Sequence, residues 1–168
     1  MQPQDLRAVQ QPLKEAYESH PEGALVELSA SGELGEGITC SVATGRQLVE
    51  AGLHPSTGGT GVPACSGDML LQALVACAGV TLQAVATSLN LDVTGGTITA
   101  TADFDARGTL GVDRAAPVGL QNIRLKCDVS GDLSDEQRAT LLKLTERYCV
   151  VLQTLRSAPR VSATLTLG

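Results

Sequence analysis

Residues 63–91 of this chain read PACSGDMLLQALVACAGVTLQAVATSLNL. From Met69 to Leu91 the stretch carries no charge, and Cys77 lies near its middle. Such a segment is typical of a transmembrane helix, which needs about 20 apolar residues, or of a helix that meets protein on every side. Six polar side chains, which would be costly against lipid, favour the enclosed helix: Gln72, Thr81, Gln83, Thr87, Ser88 and Asn90. A helix enclosed in this way requires the rest of the chain to wrap around it.

The composition indicates one globular domain that stays in solution. The chain has 168 residues, of which 43% are hydrophobic but only 2% aromatic, so the core must consist mainly of Leu, Val, Ala and Ile. The net charge of −6 and the lack of a basic patch argue against nucleic-acid binding. The N-terminus shows no basic-then-apolar signal pattern. We therefore expect a cytoplasmic protein with no membrane segment.

The five cysteines do not form the pattern of a disulfide framework or a zinc site. Their number is odd, no C-x-x-C occurs, and the chain has only two histidines. We therefore expect neither a metal nor a cofactor. Cys40 and Cys127 fall on the apolar faces of predicted strands, where packing is the expected role.

Hydrophobic periodicity predicts the other elements. A short helix is expected at residues 5–19. After the apolar helix, a second long helix is expected to begin at Ser134, which has capping-box spacing to Gln137, and to end before Pro159. Alternation of period two predicts five strands, at residues 24–30, 38–42, 97–104, 122–129 and 161–167. Because the strands come in runs and do not alternate strictly with helices, we expect an α+β fold with a largely antiparallel sheet.

The segments before and after the apolar helix carry most of the remaining chemistry. Residues 44–62 are rich in glycine and form a loop, or a short strand with a loop, in which Arg46 and His54 are the reactive groups. Cys77 and Cys149 both lie on predicted helices, 72 residues apart. The residues by themselves leave open whether these thiols meet, and whether they serve packing or chemistry.

Three segments together resemble the OsmC/Ohr family of thiol peroxidases. They are HPSTGGTGVPACSGDMLLQALVACAGVTLQAVA, ERYCVVLQTL and VSATLTL. Members carry a P-x-x-x-[DE]-[LM]-L-x-x-A-L-x-x-C-like segment on a central helix, with a second cysteine far downstream. Asp68, nine residues before Cys77, matches the acidic position, and Cys149 matches the downstream cysteine. The resemblance covers residues 22–168 and leaves residues 1–21 as an N-terminal helical extension.

The resemblance implies an intertwined homodimer whose sheets wrap the two central helices, with active sites at the interface. It also implies a hydroperoxide reductase. Cys77 would attack an organic hydroperoxide and become a sulfenic acid, Cys149 would form a disulfide with it, and an external dithiol would reduce that disulfide. In the family's peroxidases an Arg steadied by an acidic residue lowers the pKa of the reactive cysteine. Arg46 and Asp68 are the candidates for these two roles.

The sequence departs from the family pattern at three positions. Cys149 is followed by Val150 where members often have proline, and Asp68 is shorter than the usual Glu. Cys65 is an additional thiol that offers an alternative partner for Cys77. A second hypothesis is therefore a non-catalytic protein of the same fold that binds an apolar ligand at the dimer interface, with its cysteines serving only as packing.

Overall fold

The computed structural model describes residues 2–20, 24–25, 32–34, 39–44 and 47–166, with the backbone alone between residues 32 and 47. The helices are α1 Pro3–Ser19, α2 Ser66–Ser88, α3 Ala106–Thr109, α4 Asp135–Tyr148 and α5 Val150–Arg156. The strands are β1 Gly32–Leu34, β2 Thr39–Thr44, β3 Gln47–Gly52, β4 Ala64–Cys65, β5 Gly95–Asp103 and β6 Gln121–Ser130. A 3-10 turn spans Pro55–Thr57.

The described strands form two sheets, and the predicted α+β class is confirmed. One sheet has the order β1-β2-β3-β4, in which only the short β3–β4 pair is parallel. The other is the antiparallel pair β5–β6, with Ile98 opposite Cys127 and Ala100 opposite Leu125. The inward residues of this pair follow the alternation that predicted it, and Cys127 packs against the core as expected.

Three of the predictions concern segments before residue 63, and their outcomes differ. The strand predicted at 38–42 is β2, although the side chain of Cys40 lies outside the described part of the chain. Of the strand predicted at 24–30, only Ala24 and Leu25 are described, and neither is in a strand. Residues 44–62 form a short strand, β3, followed by a loop. Arg46 lies outside the described residues.

The strand predicted at residues 161–167 is wrong for the single chain. Residues 161–166 have no regular structure, and Val161 and Leu165 are 87% and 90% exposed. A strand needs a neighbouring edge to satisfy its N–H and C=O groups, and the described strands of this chain do not pair with this segment. Alternation showed that one face suits burial, but it could not show what covers that face.

Helix α2 lies at the centre of the molecule, as its composition predicted, but only one of its faces is buried. It packs against β5, α4 and α5 through a stripe of residues spaced three and four apart: Leu74, Ala78, Leu82, Val85 and Ala86. By length and composition alone α2 could span a bilayer, and only 28% of its most apolar window is buried. The expected enclosure on every side is therefore wrong for the single chain, where Val80 is 72% exposed.

The second long helix is interrupted where the sequence predicted continuity. Its start is as expected, since Gln137 N–H donates to Ser134 Oγ at 3.2 Å and Ser134 N–H donates to Gln137 Oε1 at 2.8 Å. At Cys149 the backbone becomes extended (φ −71°, ψ 105°), which ends α4 and begins α5. Neither Gly nor Pro occurs there, so the break had no local signal.

Candidate active site

The break at Cys149 puts this fully buried thiol at the point where α5 begins. Residues Val150 and Val151 start the new helix, so their N–H groups have no acceptor within that helix. Two contacts hold α5 against α4 across the break. Gln153 Nε2 donates to the Glu146 carbonyl at 2.7 Å, and Arg156 pairs with the Glu146 carboxylate at 2.8 Å.

The structure brings Cys77 and Cys149 together, although 72 residues separate them in sequence. Cys77 lies midway along α2 and is half-buried in the same apolar cluster as Cys149, whose other fully or nearly buried members are Leu74, Ala78 and Leu152. The four cysteines whose side chains are described are all free thiols. The site is therefore a pair of free thiols inside an apolar cluster.

The surroundings of Cys77 favour its thiolate. Partial burial by itself raises the pKa of Cys77, since it penalises the charged form. Hydrogen bonds from the Val151 N–H, the Cys149 thiol, the Val150 N–H and the Thr81 hydroxyl act in the opposite direction. Together these donors outweigh the burial, and the pKa of Cys77 lies below its ordinary value.

The surroundings of Cys149 favour its protonated form. Burial is the largest cause that raises the pKa of Cys149, and the hydrogen bond to Cys77 and the negative charge of that neighbour raise it further. The N–H groups of Leu152 and Val151 act against this, but the net direction is upward. The two thiols are therefore differentiated: the pKa of Cys77 is lowered and that of Cys149 is raised, so Cys77 loses its proton first and Cys149 is the thiol that donates to it.

The predicted acidic residue does not reach Cys77 within the chain. Asp68 lies exposed in the first turn of α2. Nine residues of α-helix correspond to ~13.5 Å along the axis and about half a turn around it, so Asp68 and Cys77 face opposite sides of α2. Among the described residues, the groups that shift the pKa of Cys77 include no cation.

The alternative pairing of Cys65 with Cys77 is excluded in this fold. Cys65 is the N-cap of α2, and Cys77 follows it by twelve residues on the same helix, a separation of ~18 Å. A disulfide requires Cα atoms within about 7 Å of each other. The pairing would therefore require the first half of α2 to unfold, whereas Cys149 already lies beside Cys77.

Sequence reasoning missed the donors that surround Cys77. The sequence marks Val150 only as a departure from the proline that is common in the family. The N–H of Val150, which a proline would lack, is nevertheless one of the donors to Cys77. Thr81 was noted only as a polar group unsuited to lipid, although its spacing of four residues puts it on the same face of α2 as Cys77. That spacing was a usable signal, whereas the Val150 and Val151 N–H groups depended on the unpredicted helix break.

Among the described residues, no group of three or more His, Cys, Asp or Glu side chains has an arrangement that could hold a metal ion. What the site offers chemically is a thiol with a lowered pKa, an adjacent thiol and apolar surroundings. This combination suits two-electron thiol chemistry, because a low-pKa thiolate beside a second thiol can be oxidised and then captured as a disulfide.

Comparison with known proteins identifies the family of the chain. Residues 59–164, more than half of the chain, match the family model described as OsmC-like protein. No curated protein matches the sequence.

Three solved structures share the fold. An OsmC-like protein from Mycoplasma pneumoniae has a TM-score of 0.67 at 16% identity, over 79% of this chain and 89% of that one. An organic hydroperoxide resistance protein OsmC from Legionella pneumophila has a TM-score of 0.62 at 15% identity, over 79% and 91%. An organic hydroperoxide resistance protein from Elizabethkingia anophelis has a TM-score of 0.62 at 17% identity, over 80% and 91%. On the family match and this shared fold, the chain belongs to the OsmC-like protein family.

Proposed function

We propose that this protein is a cysteine-based reductase of organic hydroperoxides, with Cys77 as the peroxidatic and Cys149 as the resolving thiol. The observation that carries the proposal is the differentiated pair, a thiolate-favouring Cys77 against a buried, protonated Cys149. The family match and the hydroperoxide resistance of two relatives of the same fold support it.

The first step oxidises Cys77. Its thiolate attacks the terminal oxygen of the hydroperoxide, an S–O bond forms, and the O–O bond breaks. The organic fragment leaves as an alkoxide and takes a proton to become an alcohol. Cys77 is then a sulfenic acid, oxidised by the two electrons that the hydroperoxide has gained. The apolar walls around the pair, from α2, β5, β6 and α5, favour an organic substrate over a small polar one.

The second step forms the disulfide. The sulfur of Cys149 attacks the sulfur of Cys77, the S–S bond forms, and hydroxide leaves as water with the proton of the thiol. Oxidation of Cys77 also removes a negative charge that raised the pKa of Cys149. The first step therefore makes Cys149 a better nucleophile for the second. An external dithiol then reduces the disulfide by thiol–disulfide exchange.

The proposal includes a cytoplasmic homodimer that binds neither nucleic acid nor membrane. Exposed apolar side chains on α2 and in the C-terminal segment, such as Val80, Val161 and Leu165, support a second copy that covers them. The proposed intertwining would give residues 161–166 a strand neighbour, which the described strands of the single chain do not provide. Because Asp68 faces away from Cys77 of its own chain, Asp68 and Arg46 can form the proposed activating pair only across the subunit interface.

Substitution of the two cysteines tests the reaction. With cumene hydroperoxide and dithiothreitol, we expect Cys77→Ser to abolish peroxide consumption, since serine is not a comparable nucleophile at neutral pH. Cys149→Ser should leave a Cys77 sulfenic acid that dimedone traps, detected by peptide mass spectrometry. Cys65→Ser is the matched control and should consume peroxide at the wild-type rate.

Thiol titration after one equivalent of hydroperoxide separates the proposal from a purely structural role. The expected result is the loss of two thiols per chain, mapped to Cys77 and Cys149. Unchanged consumption by Cys77→Ser would refute the assignment. Thiols that stay inert to stoichiometric hydroperoxide would instead support a non-catalytic protein that binds an apolar ligand.

A further inference from the structure

The break between α4 and α5 frees three backbone N–H groups from helical hydrogen bonds. The last bond of α4 runs from the Cys149 N–H to the Thr145 carbonyl, and the first of α5 from the Gln153 N–H to the Cys149 carbonyl, each at 2.9 Å. The N–H groups of residues 150–152 fall between these two bonds, and each of them donates to Cys77, to Cys149 or to both. The surroundings of the thiol pair therefore depend on a helix that stays open.

The same break frees three carbonyl groups at the end of α4, those of residues 146–148. Arg147 and Tyr148 are exposed to water, whereas Glu146 is half-buried. The side chain of Gln153 reaches back from α5 to this half-buried position, and its Nε2 donates to the Glu146 carbonyl at 2.7 Å. One side-chain amide thus satisfies the carbonyl that has the least access to water.

That carbonyl is also the natural acceptor of the Val150 N–H. In a continuous helix each N–H donates to the carbonyl four residues earlier, so the Val150 N–H would donate to Glu146. In this structure it acts on Cys77. The Gln153 amide therefore occupies the acceptor that competes with Cys77 for this N–H.

We propose that Gln153 is a positioning residue for the thiol pair. By donating to the Glu146 carbonyl in place of the Val150 N–H, its side chain keeps the helix open and leaves that N–H for Cys77. This role presupposes that Cys77 is the peroxidatic thiol of the proposed reaction. Gln153 is not among the groups that act on the pKa of either thiol, so its effect must pass through α5.

The local sequence does not enforce the break. Residues 146–153 contain neither Gly nor Pro, so this segment can also form a continuous helix. The other contact across the break joins Arg156 to the Glu146 carboxylate, is partly exposed, and does not involve the carbonyl. Because a half-buried carbonyl without a donor is costly, loss of the Gln153 amide would favour closure of the helix, in which the Val150 N–H satisfies that carbonyl.

Gln153→Met tests this role, because methionine has a similar length but no donor. The measurement is the pH midpoint of Cys77 alkylation by iodoacetamide, followed by peptide mass spectrometry in the intact, reduced protein. We expect the midpoint to move upward, since the thiolate loses a donor to the Glu146 carbonyl. The substitution changes no charge, and the one titratable group that acts on the pKa of Cys77 among the described residues is Cys149. Gln153→Asn, whose amide is one methylene too short, should give the same upward shift.

Thr154→Val is the matched control. Thr154 is the next residue of α5, and its hydroxyl donates to the Val150 carbonyl at 2.9 Å, a bond that lies within α5 and does not cross the break. Valine has the same shape and lacks the donor, so this variant should keep the wild-type midpoint. Urea denaturation of both variants separates positioning from stability, since a merely structural Gln153 would lower the free energy of unfolding without moving the midpoint.

A proline at position 150 provides a background in which Gln153 has nothing left to do. Proline has no N–H, and its ring clashes with the carbonyl four residues earlier, which is that of Glu146. The helix therefore cannot close in Val150→Pro. Adding Gln153→Met to Val150→Pro should leave the midpoint of Cys77 where Val150→Pro alone puts it, whereas two independent effects would add.

Closure of the helix also has a spectroscopic signature at Cys149. Its ψ is 105° in this structure, and a continuous helix requires about −42°. The Cα chemical shift of Cys149 should therefore move toward the helical range in Gln153→Met and stay in place in Thr154→Val.

Three outcomes would overturn the positioning role. One is a wild-type midpoint in Gln153→Met, and another is an equal shift in Thr154→Val. The third is a further rise when Gln153→Met is added to Val150→Pro. Each readout is independent of peroxide consumption, so failure here leaves the proposed reductase activity intact, whereas unchanged consumption by Cys77→Ser would refute the reductase and leave these midpoints as they are.

Discussion

Cys77 is activated in this structure by neutral donors, at a site where the family pattern suggests a cation. The Val151 and Val150 N–H groups, the Cys149 thiol and the Thr81 hydroxyl all favour its thiolate. Hydrogen bonds to a charged group each contribute about 1.5–3 kcal/mol. Four such donors are therefore sufficient to reverse the effect of partial burial without a contribution from Arg46, the candidate cation, which lies outside the described residues.

Replacement of Val150 by proline removes one of these donors with little other change. Proline is well tolerated as the first residue of a helix, and Val150 is the first residue of α5. Val150→Pro should raise the pKa of Cys77, because the thiolate loses one of its hydrogen-bond donors. The measurement is the pH midpoint of Cys77 alkylation, and Val150→Ala, which keeps the N–H, should retain the wild-type midpoint. An unchanged midpoint in Val150→Pro would show that this N–H does not act on the thiolate.

The two thiols should also differ in the pH dependence of their reactivity. A thiol reacts as its thiolate, so the group with the lowered pKa becomes reactive at the lower pH. As pH rises, Cys77 should be alkylated first, and Cys149 only above the ordinary range of a thiol. In Cys77→Ser the charge that raises the pKa of Cys149 is absent, so the midpoint of Cys149 should move down. A midpoint of Cys149 that stays in place would mean that burial alone raises its pKa.

At the scale of elements, the break between α4 and α5 builds the site. A continuous helix would use the N–H groups of Val150 and Val151 in its own hydrogen bonds, and neither could donate to Cys77. The extended backbone at Cys149 releases them, while the Glu146 contacts hold α5 in place. The element boundary therefore determines the chemistry of the thiol.

Two adjacent leucines, Leu141 and Leu142, test which face of α4 packs against the core. Leu141 is buried in the cluster formed by α2, α4 and the β5–β6 pair, whereas Leu142 is half-exposed. Leu141→Ala should lower the free energy of unfolding by about 2–5 kcal/mol, and Leu142→Ala by much less, measured by urea denaturation. Equal losses would show that a partner subunit buries Leu142.

At the scale of the whole molecule, the exposed apolar surface of α2 predicts the subunit interface. Val80 and Val112 are similarly exposed, at 72% and 73%, but Val80 lies on α2 and Val112 in the loop after α3. If the proposed homodimer forms through this face, Val80→Glu should convert it into monomers, since a charge would be buried without a partner. Val112→Glu should leave the dimer intact in light scattering after gel filtration. A monomeric wild type, or a dimer in both variants, would contradict the predicted interface.

Sequence reasoning worked best where a pattern is local. The helix α2, the strands β5 and β6, and the cap of α4 each depend on periodicity or spacing along one segment, and all of them are confirmed. The predictions for residues 161–167 and for the outer face of α2 are wrong for the single chain. An apolar pattern indicates that a surface is buried, but it does not indicate which element buries it. The division of the chain after residue 21 stays a prediction, although α1 is formed at Pro3–Ser19.

The sequence by itself determined the α+β class, the central helix with its cysteine, and the two thiols whose spacing resembles the family. Only the tertiary structure decided that Cys77 and Cys149 meet, and which of the two has the lowered and which the raised pKa. The reason is physical. Periodicity acts through neighbours along the chain, whereas the pKa of a thiol depends on burial and on donors that α5 brings across space.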